Sequence, residues 1–130
     1  MRLMIGRWLY GIFEIVFLLC ILTQFYLAGM AIFSEASYWS QHVMFVHLFG
    51  LYVPILMILA ALMAKVNKWD YVYILILFFL IFAMYFTANM GRVAPFIGSL
   101  HPIIGVFIFL MSSLTVYRSI LWVTNRRKNR

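Results

Sequence analysis

Four apolar runs dominate this sequence, each close to or above the roughly 20 residues a helix needs to cross a bilayer. They extend from about Trp8 to Phe33, His42 to Ala64, Tyr71 to Met90 and His101 to Val123. Bare backbone is costly in lipid, so runs of this length are satisfied as helices that close their own hydrogen bonds. The rest of the composition agrees: 67% of residues are hydrophobic and 10% charged. A soluble domain of this length needs far more polar surface. The expected fold is all-α: an integral membrane four-helix bundle formed as one domain over residues 1–130.

The breaks between runs carry turn chemistry. Ser34-Glu35-Ala36-Ser37 is polar and ends the first run. Lys65-Val66-Asn67-Lys68-Trp69-Asp70 is short, and Asp70 is placed to act as N-cap of the third helix. Gly91, Pro95, Gly98 and Pro102 punctuate the third connection. Short connections make neighbouring helices antiparallel, up-down-up-down. The first run is longer than a bilayer requires, so it tilts or projects. Arg2 and Arg7 give it a basic start, as in a signal peptide. However, the run is too long and is interrupted by Glu14, which favours a retained helix.

The net charge of +7 does not mark a nucleic-acid binder, because the cations sit at the ends of apolar runs instead of clustering on a polar element. Arg2, Arg7, Lys65, Lys68, Arg126, Arg127, Lys128 and Arg130 fall on one side and Arg92 on the other. By the positive-inside tendency, the first side and both termini are cytoplasmic. Trp8, Trp69 and Trp122 at that interface, and Trp39 at the outer one, fit the same register. The single Cys20 excludes a disulfide framework and reads as a small apolar filler.

Polar groups inside the spans need a reason. Glu14 and Arg118 lie at similar depth in the first and last helices, and an ion pair between them would relieve the desolvation of both. It would be a structural clamp, or else part of a proton path. Phe78, Phe79, Phe82, Met84 and Phe86 give the third helix apolar bulk for lipid or for a partner.

All three histidines, His42, His47 and His101, lie in the outer half. His42 and His47, about 140° apart around a helix, cannot form an i, i+4 metal pair. His47 shares a face with Gly50, and His101 with Gly105. An imidazole with a glycine one turn away suits a flat macrocycle, the ring nitrogen binding iron and the missing side chain admitting the ring edge. Two such helices make a bis-histidine haem b site. His47 and His101 match in depth if the fourth helix begins near Ser99 or earlier. If it begins at His101 itself, His42 is the better partner. Arg92 is placed to meet haem propionates, and Gln24 to hydrogen-bond a ligand histidine. Ala28, Gly29 and Ala31 keep the first helix narrow at that depth. Zinc or copper fits less well, since no thiolate is near and Glu35 is the only outer carboxylate.

The stretches Gln24-Phe25-Tyr26-Leu27-Ala28-Gly29, His47-Leu48-Phe49-Gly50 and Leu100-His101-Pro102 resemble an uncharacterised family of small four-span bacterial membrane proteins, over most of the chain. The resemblance implies a bacterial cell membrane and points to His47 and His101; it implies no settled activity. The architecture is also similar to four-helix b-type cytochromes and to the bundles of haem A synthase, although the extra histidines of a two-haem bundle are missing.

Three functions follow in order. The first is a haem protein passing electrons, with quinone as a candidate partner, or sensing redox state or a gas. The second is a non-catalytic accessory or structural subunit of a larger membrane complex, alone or as an oligomer. A transporter ranks last, for want of a polar lining or a broken-helix pair. The sequence has no phosphate loop, activated nucleophile or carboxylate pair of a soluble-type enzyme.

Overall fold

The computed structural model describes residues 2–128, with side chains described over 3–122. Arg130 and the side chains of Arg2, Arg126, Arg127 and Lys128, which carry much of the expected charge asymmetry, lie outside the described residues. Among the described residues there is helix and turn and no strand. The helices are α1 (Arg2–Phe33), α2 (Tyr38–Phe49), α3 (Tyr52–Ala64), α4 (Lys68–Met90), α5 (Pro95–Gly98) and α6 (His101–Lys128). Four stretches are long and apolar enough to span a membrane, with α2 and α3 forming one of them and α5 and α6 another. The chain is thus an all-helical, multi-pass membrane bundle.

The α2–α3 break has a local cause. Pro54 has no N–H to give to the carbonyl of Gly50, four residues earlier, and its ring crowds that turn. The ladder resumes with Ile55 N–H donating to Leu51 O at 3.2 Å. Helix α1, at 32 residues, is about 48 Å long. It exceeds the roughly 30 Å hydrocarbon core, in line with a helix that tilts or projects.

Inner stripes recur at steps of three and four residues: Gly6, Tyr10, Glu14, Phe17, Ile21 and Gln24 on α1, and Gly105, Ile108, Ser112, Thr115 and Ser119 on α6. Such spacing keeps one face of each helix on its neighbours. The outside is apolar as well, so polarity is partly inverted: Glu14, Gln24, Thr87, Ser112, Thr115 and Ser119 are buried while leucines and phenylalanines face out. This is the arrangement lipid selects. On α4, Phe79, Phe82 and Phe86 are exposed, whereas Phe78 and Met84 pack against the core. The expected apolar bulk is therefore divided between two faces. Cys20 is half-buried against the core.

Helix α1 packs most extensively on α3 and next on α6, and α4 packs on α6. The α1–α3 crossing is tight because both partners are small there. A Cβ on Gly6 would stand 2.6 Å from the Ala64 backbone nitrogen, and Ala60, Ala61 and Ala64 are buried. Gly29 behaves otherwise: a Cβ there would meet nothing within 4 Å, so it is not a close-packing glycine.

The α3–α4 turn differs in detail from expectation. Lys65 ends α3 in the left-handed conformation, φ 50°. Asn67, not Asp70, is the N-cap of α4: its side chain accepts from Trp69 N–H at 3.2 Å. Asp70, three residues on, accepts from the Asn67 N–H at 3.2 Å. The pair forms a capping box, so Asp70 closes the cap rather than starting it.

Candidate functional site

At the end of the bundle opposite the Lys65–Lys68 turn, α1, α2, α4 and α6 enclose a cavity of about 950 Å³. All seven residues expected to serve a cofactor line it: Gln24, His42, His47, Gly50, Arg92, His101 and Gly105. The walls are chiefly apolar and include Ile21, Phe25, Phe49, Ile81, Met84 and Ile108.

Helix α6 begins at His101 itself, with Pro102 next, where a missing N–H is harmless. That start meets the condition under which His42 is the expected partner of His101. The ring facing His101 is that of His42, with centroids 6.4 Å apart and planes inclined at 62°. His47 is exposed, stacked on Tyr85 at 5.4 Å, with its Nδ1 3.4 Å from the Tyr85 hydroxyl. Tyr85 in turn donates to Val46 O at 3.2 Å.

Both facing histidines are anchored through Nδ1. His42 Nδ1–H donates to Gln24 O at 3.2 Å, and His101 Nδ1–H donates to Met84 O at 3.1 Å. A carbonyl can only accept, so each Nδ1 carries the proton and each Nε2 keeps a lone pair for a ligand. Backbone carbonyls orient metal-binding histidines in the same way. Gln24 tightens the clasp by donating from Nε2 to His42 O at 3.0 Å, and its Oε1 is buried without a partner. Trp39 abuts His42 edge-on at 5.7 Å.

The other expected residues divide. Arg92 is exposed at the cavity margin, where an anionic group could reach it. The glycines do not leave open faces. A Cβ on Gly105 would stand 3.3 Å from the Phe25 ring, and one on Gly50 2.7 Å from Val46 O. Their missing side chains admit protein atoms.

Among the described residues, no three histidines, cysteines or carboxylates gather as a metal cage. Two imidazoles alone leave a bare ion under-coordinated. They suffice for an ion that arrives in a four-nitrogen macrocycle.

The expected Glu14–Arg118 pair does not form. Arg118 Nη2 lies 2.9 Å from Asp70 Oδ1, its Nε donates to the same oxygen at 3.0 Å, and the guanidinium covers the Tyr73 ring at 4.9 Å. Glu14 is 1% exposed, and neither carboxyl oxygen makes a hydrogen bond of normal length and angle. Depth along two helices was readable, but rotation about their axes was not. The roles of Tyr85 and of the Met84 carbonyl were also missed, because neither has a motif in the sequence.

A family model described as "Family of unknown function (DUF6220)" matches residues 24–91, just over half of the chain. The chain belongs to that family. The match spans Gln24, His42, His47 and Gly50 and ends before Arg92 and His101. No curated protein and no solved structure matches.

Proposed function

We propose that this chain, a member of the DUF6220 family, is a membrane haem b protein in which His42 of α2 and His101 of α6 would hold the haem iron. The observation that carries the reading is the facing pair itself: centroids 6.4 Å apart, both Nδ1 atoms committed to backbone carbonyls. At that separation the two rings would be able to hold a macrocycle-bound metal ion between them. The cavity volume lies within the range of cofactor sites, and its walls are chiefly apolar.

A haem held by both histidines would supply one-electron transfer. The chain's own contributions are orientation and charge. Gln24 and Met84 carbonyls fix the imidazole tautomers, and Arg92 is available to a propionate carboxylate. The exposed His47–Tyr85 stack gives the cavity a hydrogen-bonding edge where a quinone carbonyl could dock. In this reading both termini face the cytoplasm of a bacterial cell. Arg7, Lys65 and Lys68 lie at the end away from Arg92, which supports that orientation.

The test is an absorption spectrum of the detergent-purified protein expressed with haem supplied. A Soret band with sharp α and β bands on reduction is expected. It should be lost or altered in His42→Ala and His101→Ala and retained in His47→Ala. A folded, helical protein with no haem absorption overturns the reading, and dependence on His47 in place of His42 reassigns the ligand.

A further inference from the structure

The half of the bundle away from the histidine cavity holds a second polar site. Around the buried Glu14 carboxyl stand the hydroxyls of Tyr10 from α1 and of Thr115 and Ser119 from α6. Tyr10, Thr115 and Ser119 are themselves buried. Ser112, one turn below Thr115, is buried with its hydroxyl oxygen unpartnered. The titratable and charged groups facing this site are few. Tyr10 comes from α1, Asp70 from α4 and Arg118 from α6, while α3 lines this half with Ala60, Ala61 and Ala64. Arg118 is taken by Asp70 at 2.9 Å, and Arg7 lies over the Trp122 ring at 4.6 Å. Neither carboxyl oxygen of Glu14 has a hydrogen-bond partner, cationic or neutral, among the described residues. An ionised carboxylate sealed in hydrocarbon without a counter-charge is the costliest state open to this side chain, and binding a proton removes the cost.

A groove adjoins the site. A small groove of about 160 Å³ runs between α1 and α6, lined by Arg7, Trp8, Gly11, Ile15 and Ser119 among others. Ser119 belongs both to the groove and to the hydroxyls around Glu14. Gly11 brings the helices close there: a Cβ on it would stand 3.0 Å from Ser119 Oγ. In the other direction the way is shut. Phe17, Ile21, Leu77 and Ile108, all nearly fully buried, fill the bundle between Glu14 and Gln24, a separation of about 15 Å along α1.

We propose that Glu14, with the hydroxyls of Tyr10, Thr115 and Ser119, is a proton-binding site that exchanges only with the Lys65–Lys68 side of the membrane, through the α1–α6 groove. The proton moves between the carboxyl group and water at the groove mouth by way of Ser119. No covalent bond other than O–H is made or broken. Proton binding at Glu14 requires no haem at the other end.

Infrared spectroscopy of the protein in lipid vesicles reads the protonation directly. At neutral pH a carboxylic-acid carbonyl band is expected, present in the wild type and lost in Glu14→Gln. Absence of that band in folded wild-type protein overturns the proposal. A second measurement needs no variant. A hydrophobic carbodiimide adds to protonated buried carboxyls, and the adduct is mapped by mass spectrometry. It should form on Glu14, and alkaline pH on the Lys65–Lys68 side alone should suppress it. No adduct on Glu14, or suppression by alkali on the histidine side instead, overturns it.

Discussion

Arg118, near the end of α6, is held by Asp70, in the first turn of α4, through two nitrogens on one oxygen, at 2.9 and 3.0 Å. The other oxygen of the same carboxylate accepts the Asn67 N–H and closes the α4 cap. One side chain thus fastens a helix start and ties two helices together. Asp70→Ala should cost about 2 kcal/mol, more than Asn67→Ala at about 1 kcal/mol. Arg118→Ala combined with Asp70→Ala should cost less than the sum of the two single changes. Thermal unfolding of the wild type and the four variants in one detergent measures all of these terms.

Gly6 and Gly29 should respond oppositely to alanine. At Gly6 the new methyl meets α3 backbone, so the helices must part, at about 1–3 kcal/mol. At Gly29 it meets open space, and the helix gains up to about 1 kcal/mol from the loss of glycine's freedom. Helicity followed through denaturant or heat distinguishes them.

Lys65 is the one non-glycine residue with positive φ among the described residues. It accepts that strain to end α3, with Val66 N–H returning to Ala61 O at 3.3 Å. Lys65→Gly should stabilise the bundle by about 1 kcal/mol, seen as a raised unfolding temperature. A fall in that temperature would mean that the lysine charge matters more than its backbone.

Gln24 holds His42 twice, once through its own backbone carbonyl and once through its side chain. Gln24→Leu removes only the second. Haem titration of the variant should show the same band positions and about tenfold weaker binding, whereas His42→Ala should change the band itself.

The four spans were legible because lipid demands long apolar runs, a demand that is local and additive along the chain. The capping box was half legible: Asp70 was identified as capping, but Asn67, three residues earlier, starts the cap. Which polar groups meet was not legible. Glu14 and Arg118 share a depth but not a facing, since Arg118 turns toward α4 and Glu14 toward the hydroxyls of α6. Among the histidines, the outcome turned on where α6 begins. Pro102 is tolerated at several positions in a first turn, so the start at His101 came only with the packing of α5 ahead of it. The glycines beside His47 and His101 misled in detail, because a missing side chain says only that something comes close. At Gly105 that something is Phe25.

The band of Phe17, Ile21, Leu77 and Ile108 has an electrical consequence. A membrane voltage does not fall evenly through a protein that holds polar groups toward its two ends and only hydrocarbon at its waist; it is steepest across the waist. A full crossing of one elementary charge is worth about 2.3 kcal/mol per 100 mV. On the proposed readings, a proton at Glu14 or an electron near His42 and His101 would enter from its own side and cross only the outer part of that drop. The waist works as a dielectric between two plates. Charge on one plate is felt at the other, so occupancy at the two ends can be coupled with nothing passing between them.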